Sequence, residues 1–392
     1  KADAAKADAD SADAAKAAAG GKKVNYPKKW YEVDLDPSVV VVRKEVRSMP
    51  IEEQRRVAAA VLKMRQNEDG VPGSSQFFRL AVIHGGMPPL AEEEFPEYCA
   101  HRRECFPNWH RPYLLEFERI MRRADIALGH DGNLGLPYWD WTQVEVDGEV
   151  LPGIVRKEMM VEFADDFFPV PPSRSRHSYR MSATNSDAHI KDRIESSSLV
   201  YDASQCLLAP TYSVHASTRF QTSRHPSVEA PHNSIHGFVG GIMASYQSSF
   251  HPVFWMHHNN VERIWQKYLD ANPEAQQEFA DNQADLEPDG QRGFPEGPNG
   301  PYQPFTSHLT GDVFHASESF LPTATLGFKC ALDAPLEHGA GTWSPPARTL
   351  RPPRIRPDGL PARPVPTHPS LLSLAPSERS TCPVTRSFRC VT

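Results

Sequence analysis

The residues in this sequence best suited to chemistry are its histidines, 17 among 392 residues. A histidine taken singly is more often a surface group or a satisfied core imidazole than a ligand, so spacing must separate them. His232 and His236 stand at i and i+4 in PHNSIHGFVGG; on a helix their rings project from one face, one turn apart, and can share one metal ion. Upstream, His84 closes QFFRLAVIH, His101 lies in CAHRREC and His110 in NWHRPY. His257 and His258 are adjacent in FWMHHNN. Neighbours on a helix point about 100° apart, so both cannot face one metal, and His257 is set aside. Two groups of three neutral imidazoles without carboxylates suit copper rather than magnesium or non-haem iron, and zinc remains chemically possible.

The elements that must position these rings read mostly as helices. IEEQRRVAAAVLKMRQ places Ile51, Val57, Val61, Leu62 and Met64 among charges with a helical period. QFFRLAVIH gives a second, more buried helix stopped by Gly85 and Gly86. A third is expected to start in the Asn108-Trp109-His110 region and to run to near Gly129, with Pro112 tolerated only in its first turn. HNSIHGFVGG gives a short helix and PVFWMHHNNVERIWQKYLDANP a longer one. Four helices carrying inward histidines make a bundle with a site at its centre. Glu145 to Glu229 reads as loops over that bundle, and from Pro295 to Cys330 only GDVF and ATLGF are strand-like.

The motifs then resemble the tyrosinase family of type-3 dicopper proteins: tyrosinase, catechol oxidase and the molluscan haemocyanin unit. PNWHRPYLLEFE, HNSIH, HPVFWMHHNNVERIW, LPYWDWT and Gly240-Gly241 followed by Met243 carry the resemblance, which covers roughly Tyr26 to Cys330. It implies a mainly α fold, a four-helix bundle holding a dinuclear copper site with long loops and little β. The first copper would take His84, His101 and His110, and the second His232, His236 and His258. Cys99, two residues before His101, would be joined to that ligand by a thioether; a Cys99–Cys105 disulfide or two thiols are the other readings. Glu229 and Asn233 would hold a water that takes the proton from a phenol, as against a helix-start charge and a cap or helix hydrogen bond. Phe254 would stack over the substrate ring, as against plain packing. Two departures stand out: His251 replaces the family's Asp before Pro, and Glu262 replaces the Asp of VDR.

The implied function is copper-dependent oxidation of phenols by O2, namely ortho-hydroxylation of monophenols and oxidation of o-diphenols to o-quinones. Alternatives are a catechol oxidase without hydroxylase activity and a haemocyanin-like O2 carrier. The partners are O2 and a small phenolic substrate; pigment formation is one setting for such chemistry.

Composition bounds the rest. Residues 1–23 use almost only Ala, Lys, Asp, Ser and Gly, so they read as a disordered tail. Residues 344–392 hold 11 of the 37 prolines and eight Arg against one Asp and one Glu, and read as a second disordered tail. The copper domain is expected over 24–343. Setting the tail's +6 aside from the net −7 leaves about −13, an acidic body unsuited to nucleic acid. No run of 18 apolar residues exists, so no membrane span is expected and the chain reads as soluble. The chain starts with Lys, which suggests a processed or fragmentary start, and the proline-rich end suggests a linker cut before a further domain or an incomplete product. Compartment and oligomeric state stay open. Six cysteines without a CxxC pair give neither a disulfide scaffold nor a zinc motif, although Cys382 and Cys390 can pair with each other.

Overall fold

The computed structural model describes residues 29–86, 98–160, 184–282 and 301–331. The chain divides into Lys1–Asp333 and Ala334–Thr392, and every described residue belongs to the first unit. The stretches expected as tails, 1–23 and 344–392, lie outside the described residues.

In chain order come β1 (Val41–Arg43), α1 (Ile51–Met64), α2 (Gln76–Gly85), α3 (Phe106–Ala127), α4 (Asp187–Ser196), α5 (Leu199–Gln205) and α6 (Tyr212–Ala216). Then follow α7 (Glu229–Val239), α8 (Pro252–Ala271), α9 (Ala275–Asp281), β2 (Pro301–Thr306), β3 (Val313–His315) and β4 (Phe328–Cys330). The architecture is mainly helical, as expected. Among the described residues the strands form two small pairs, β1 parallel to β4 and β2 antiparallel to β3.

Helix α1 turns Val57, Val61 and Met64 inward and packs on α3. Helix α2 is capped by Ser75, whose Oγ accepts the Phe78 N–H at 3.1 Å, and ends where Gly86 takes φ +60°. The long helices α3 and α8 pack together at the centre. There the Phe117 ring stacks on Trp255 with centroids 3.9 Å apart, and Tyr113 leans on the same indole at 4.7 Å. Burial of each such ring contributes on the order of 2–3 kcal/mol, which makes this aromatic layer a firm floor for the histidines.

Three details differ from the sequence reading. Helix α3 starts at Phe106, not at Asn108, with Pro107 in its first turn, so Pro112 lies inside the helix. Pro112 has no N–H for the Asn108 carbonyl, and the Ser319 hydroxyl donates to that carbonyl instead, at 2.8 Å. Short helices α4, α5 and α6 occupy part of the expected loop region; α4 buries only Ile190 and Ile194, too thin a stripe to show in the pattern. Strands β1 and β2 were not foreseen. GDVF supplies Val313 and Phe314 to β3, whereas of ATLGF only Phe328 enters a strand, β4.

Candidate metal centre

Helices α2, α3, α7 and α8 and the loop before α3 bring all six expected histidines together, each buried or nearly so. On α7, His232 and His236 project from one face as the i, i+4 spacing requires, and His258 on α8 points between them. Their Nε2 atoms stand 3.0 Å (His232–His236), 3.2 Å (His232–His258) and 3.4 Å (His236–His258) apart. Three imidazole nitrogens each about 2 Å from one ion lie about 3 Å from one another, so this triangle fits a metal without rearrangement.

The other triad is looser. His84 closes α2, His110 sits on α3 and His101 on the loop, with ring centroids 5.6 Å (His84–His101), 5.9 Å (His84–His110) and 6.2 Å (His101–His110) apart. Their donor atoms do not form one compact trio. His84 groups with Cys99 and His101 on one side, and with His110 and His258 on the other. The Cys99 thiol stands in the gap, 3.4 Å from His110 Nε2 and 3.6 Å from His101 Nδ1. Cys99 and Cys105 are both thiols.

Hydrogen bonds choose the ligating nitrogen. The Nδ1–H of His84 donates to the Tyr246 carbonyl at 2.8 Å, of His110 to the Phe106 carbonyl at 2.7 Å, and of His236 to the Met243 carbonyl at 2.6 Å. His232 Nδ1–H donates to Asn233 Oδ1 at 3.0 Å. With Nδ1 committed, Nε2 carries the lone pair that a metal takes. Burial keeps the rings neutral: His84, His232 and His258 are pushed well below the usual imidazole value, His101 and His236 to about 4, and His110 to about 3. His84 Nε2 is buried with no hydrogen-bond partner, an orphan that a metal would satisfy. The donor set of neutral imidazoles fits copper.

His257, set aside in the sequence reading, is also within reach of the second triad and stacks on His232 at 5.1 Å. Its Nδ1 accepts the Trp141 indole N–H at 3.0 Å, so neutral His257 carries its proton on Nε2 and offers a metal no lone pair. Trp141 and His257 lie 116 residues apart in the chain, so nothing local in the sequence signals this pairing.

A pocket of about 480 Å³ opens over the centre, walled by His84, His101, His232 and His236 together with Glu229, Asn233 and Tyr246. Glu229, the first residue of α7, is buried and accepts Arg102 N–H, Thr218 N–H and Thr218 O–H, each at 2.7 Å. Burial raises its pKa above the ordinary carboxylate value, against the pull of those donors. Asn233 is exposed on the rim. Phe254 is fully buried and does not wall the pocket; its ring lies against His258 at 4.1 Å and His84 at 4.8 Å. The two departures have partners. His251 Nδ1 accepts the Val253 N–H at 3.1 Å, capping α8 as an Asp would, and Glu262 accepts from Arg43 at 3.0 Å and Arg111 at 2.9 Å.

A family model for the common central domain of tyrosinase matches residues 74–271, a span that contains all six histidines. The chain belongs to the tyrosinase family. Members of this type-3 copper family bind two copper ions, and the histidine clusters here suit that cofactor. The chain is 29% identical over 253 residues to the A-type haemocyanin of Enteroctopus dofleini, which covers 62% of this chain and 19% of that one. It is 28% identical over 252 residues to a tyrosinase of Streptomyces glaucescens, covering 60% and 84%. The match thus spans about a fifth of the octopus protein's length and most of the bacterial one's. Among solved structures, a tyrosinase from Burkholderia thailandensis superposes with TM-score 0.53 at 18% identity, over 75% of each chain. A copper-depleted tyrosinase of Aspergillus oryzae gives TM-score 0.58 at 17% identity, over 78% of this chain and 96% of that one, a likeness of fold. Among the described residues no helix is long and apolar enough to cross a membrane.

Proposed function

We propose that the chain oxidises phenols with O2, hydroxylating monophenols at the ortho position and converting o-diphenols to o-quinones. The observation that carries this reading is the pocket: four of the six histidines form its wall, so a phenol-sized molecule can reach the metal centre. An O2 carrier needs no such access for substrate, although the likeness to octopus haemocyanin keeps that second reading in view.

His84, His101 and His110 would hold one copper, and His232, His236 and His258 the other. A bound copper pair would supply O2 activation and the two-electron redox chemistry. The chain's own residues do the rest. The carbonyl-anchored Nδ1–H groups hold the rings of His84, His110 and His236 at a fixed tautomer and angle. Phe254, packed on His84 and His258, steadies those two imidazoles from below and leaves the pocket to the substrate. Glu229 spends three of its roughly four acceptor positions on Arg102 and Thr218. The remaining one, with the Asn233 side chain on the rim, suits a water that accepts the phenolic proton. Cys99 would form a thioether to His101, its sulfur bonding a ring carbon while the S–H and ring C–H hydrogens pass to O2 to give hydrogen peroxide.

The test is paired substrates. The copper-loaded protein is given a monophenol and then a catechol while O2 uptake and quinone absorbance are followed. Quinone from both is the expected result. Quinone from catechol alone would remove hydroxylation and the proton-acceptor role of Glu229, and reversible O2 uptake without quinone would leave the carrier. Intact mass lower by two hydrogens reports the thioether.

A further inference from the structure

Between α7 and α8 the chain makes two short 3-10 turns, Gly241–Ala244 and Tyr246–Phe250. Two carbonyls of this segment face histidines of different triads. Met243 O accepts the His236 Nδ1–H at 2.6 Å, and three residues on, Tyr246 O accepts the His84 Nδ1–H at 2.8 Å. One short stretch of backbone therefore aims one imidazole of each triad, fixing its tautomer and angle.

The segment can lie this close because of Gly85. A Cβ on Gly85 would fall 2.1 Å from Tyr246 O, 2.5 Å from the Tyr246 carbonyl carbon and 2.8 Å from its Cβ. These atoms are backbone or fixed to it and cannot rotate aside. Gly85 has helical dihedrals as the last residue of α2, where a larger residue would suit the helix better; what the site demands is the absence of a side chain. Two side chains tack the segment to α2: Gln247 Nε2 donates to the Gly85 carbonyl at 3.0 Å, and the Ser249 hydroxyl to the Ala81 carbonyl at 2.7 Å.

We propose that residues 240–250 form a strap that couples the two halves of the metal centre, and that Gly85 is the positioning residue that seats it. Substitution at Gly85 lifts the Tyr246 carbonyl off His84 first and, through the short chain between them, disturbs Met243 over His236 second. The idea rests on the ligand assignment proposed above.

Copper itself is the probe. Wild type, Gly85→Ala and a Gln247→Ala/Ser249→Ala double variant are titrated with copper against a competing chelator, and the cupric forms are examined by electron paramagnetic resonance. Loss of a bond that orients a ligand costs about 10–100-fold in metal affinity, so Gly85→Ala should weaken the His84 triad by that factor. At limiting copper it then carries one ion per chain and shows the signal of an isolated Cu(II), where a magnetically coupled wild-type pair is silent. The double variant, which removes the tacks and leaves Gly85 in place, shows the same change more weakly. Wild-type affinity for two ions in both variants overturns the strap. Should Gly85→Ala fail to fold, unchanged affinity in the double variant overturns it alone. Wild type that binds no copper overturns the ligand assignment instead, so the two failures are distinguishable.

Discussion

The two triads are built from different materials. The second comes from two helices, and its three Nε2 atoms lie within 3.0–3.4 Å of one another. The first draws one ligand from a loop, its ring centroids stand 5.6–6.2 Å apart against 4.5–5.5 Å in the second, and a thiol stands among them. Residue 102 shows what holding that loop requires: Arg102 adopts φ +57°, a conformation that costs on the order of 1 kcal/mol outside glycine, and its N–H is gripped by Glu229 from the second triad's helix. Helical spacing brings the second triad together, whereas the loop ligand leaves the first more open.

The largest effects should come from breaking either triad. His236→Ala and His101→Ala should each abolish phenol turnover and leave one copper per chain by metal analysis, with the ion retained by His101→Ala the tighter one. Next, Glu229→Gln should lower monophenol turnover by about 10²-fold and catechol turnover far less, measured as initial rates on the two substrates. Equal losses on both would mean that Glu229 only clamps the loop. Cys99→Ser should weaken copper at the first triad by about 10-fold and leave the second unchanged, read by chelator competition.

Acid should act on the whole buried imidazole set. These rings are neutral when folded, with pKa values held at about 3 to 4 for His101, His110, His236 and His215, a buried histidine of α6 outside the metal centre, while in the unfolded chain they titrate near 6.5. The unfolded state therefore binds more protons below about pH 6.5, and apoprotein stability falls as pH drops from there toward about 4, by about 1.4 kcal/mol per pH unit per ring. Urea unfolding midpoints across that range check it; a flat profile would mean the rings are protonated when folded. Ser319→Ala should cost the least, about 1 kcal/mol, by leaving the Asn108 carbonyl under Pro112 without a donor.

What the sequence made legible follows the same division. His232, His236 and His258 sit on long periodic motifs, and helical geometry predicts their convergence. His101 was recognisable in CAHRREC, but spacing could not tell that Cys99 would intrude between His101 and His110. Backbone acceptors such as Tyr246 O and Met243 O carry no side-chain signature, and Gly85 read only as a helix stop. The start of α3 was misplaced by two residues because Pro112 argued for a later start, and the Ser319 hydroxyl that rescues the freed carbonyl comes from 211 residues away in the chain than Asn108. Phe254 was placed on the correct helix face, yet burial under His84 and His258 depends on tertiary packing that no local pattern reveals.

The central claim is that six particular imidazoles hold two coppers through unlike triads, and anomalous diffraction at the copper edge from copper-loaded crystals tests it most directly. The account predicts two peaks, one bounded by Nε2 of His232, His236 and His258 and the other by His84, His101 and His110. A single peak, or copper bound by His257 in place of His258, would contradict it.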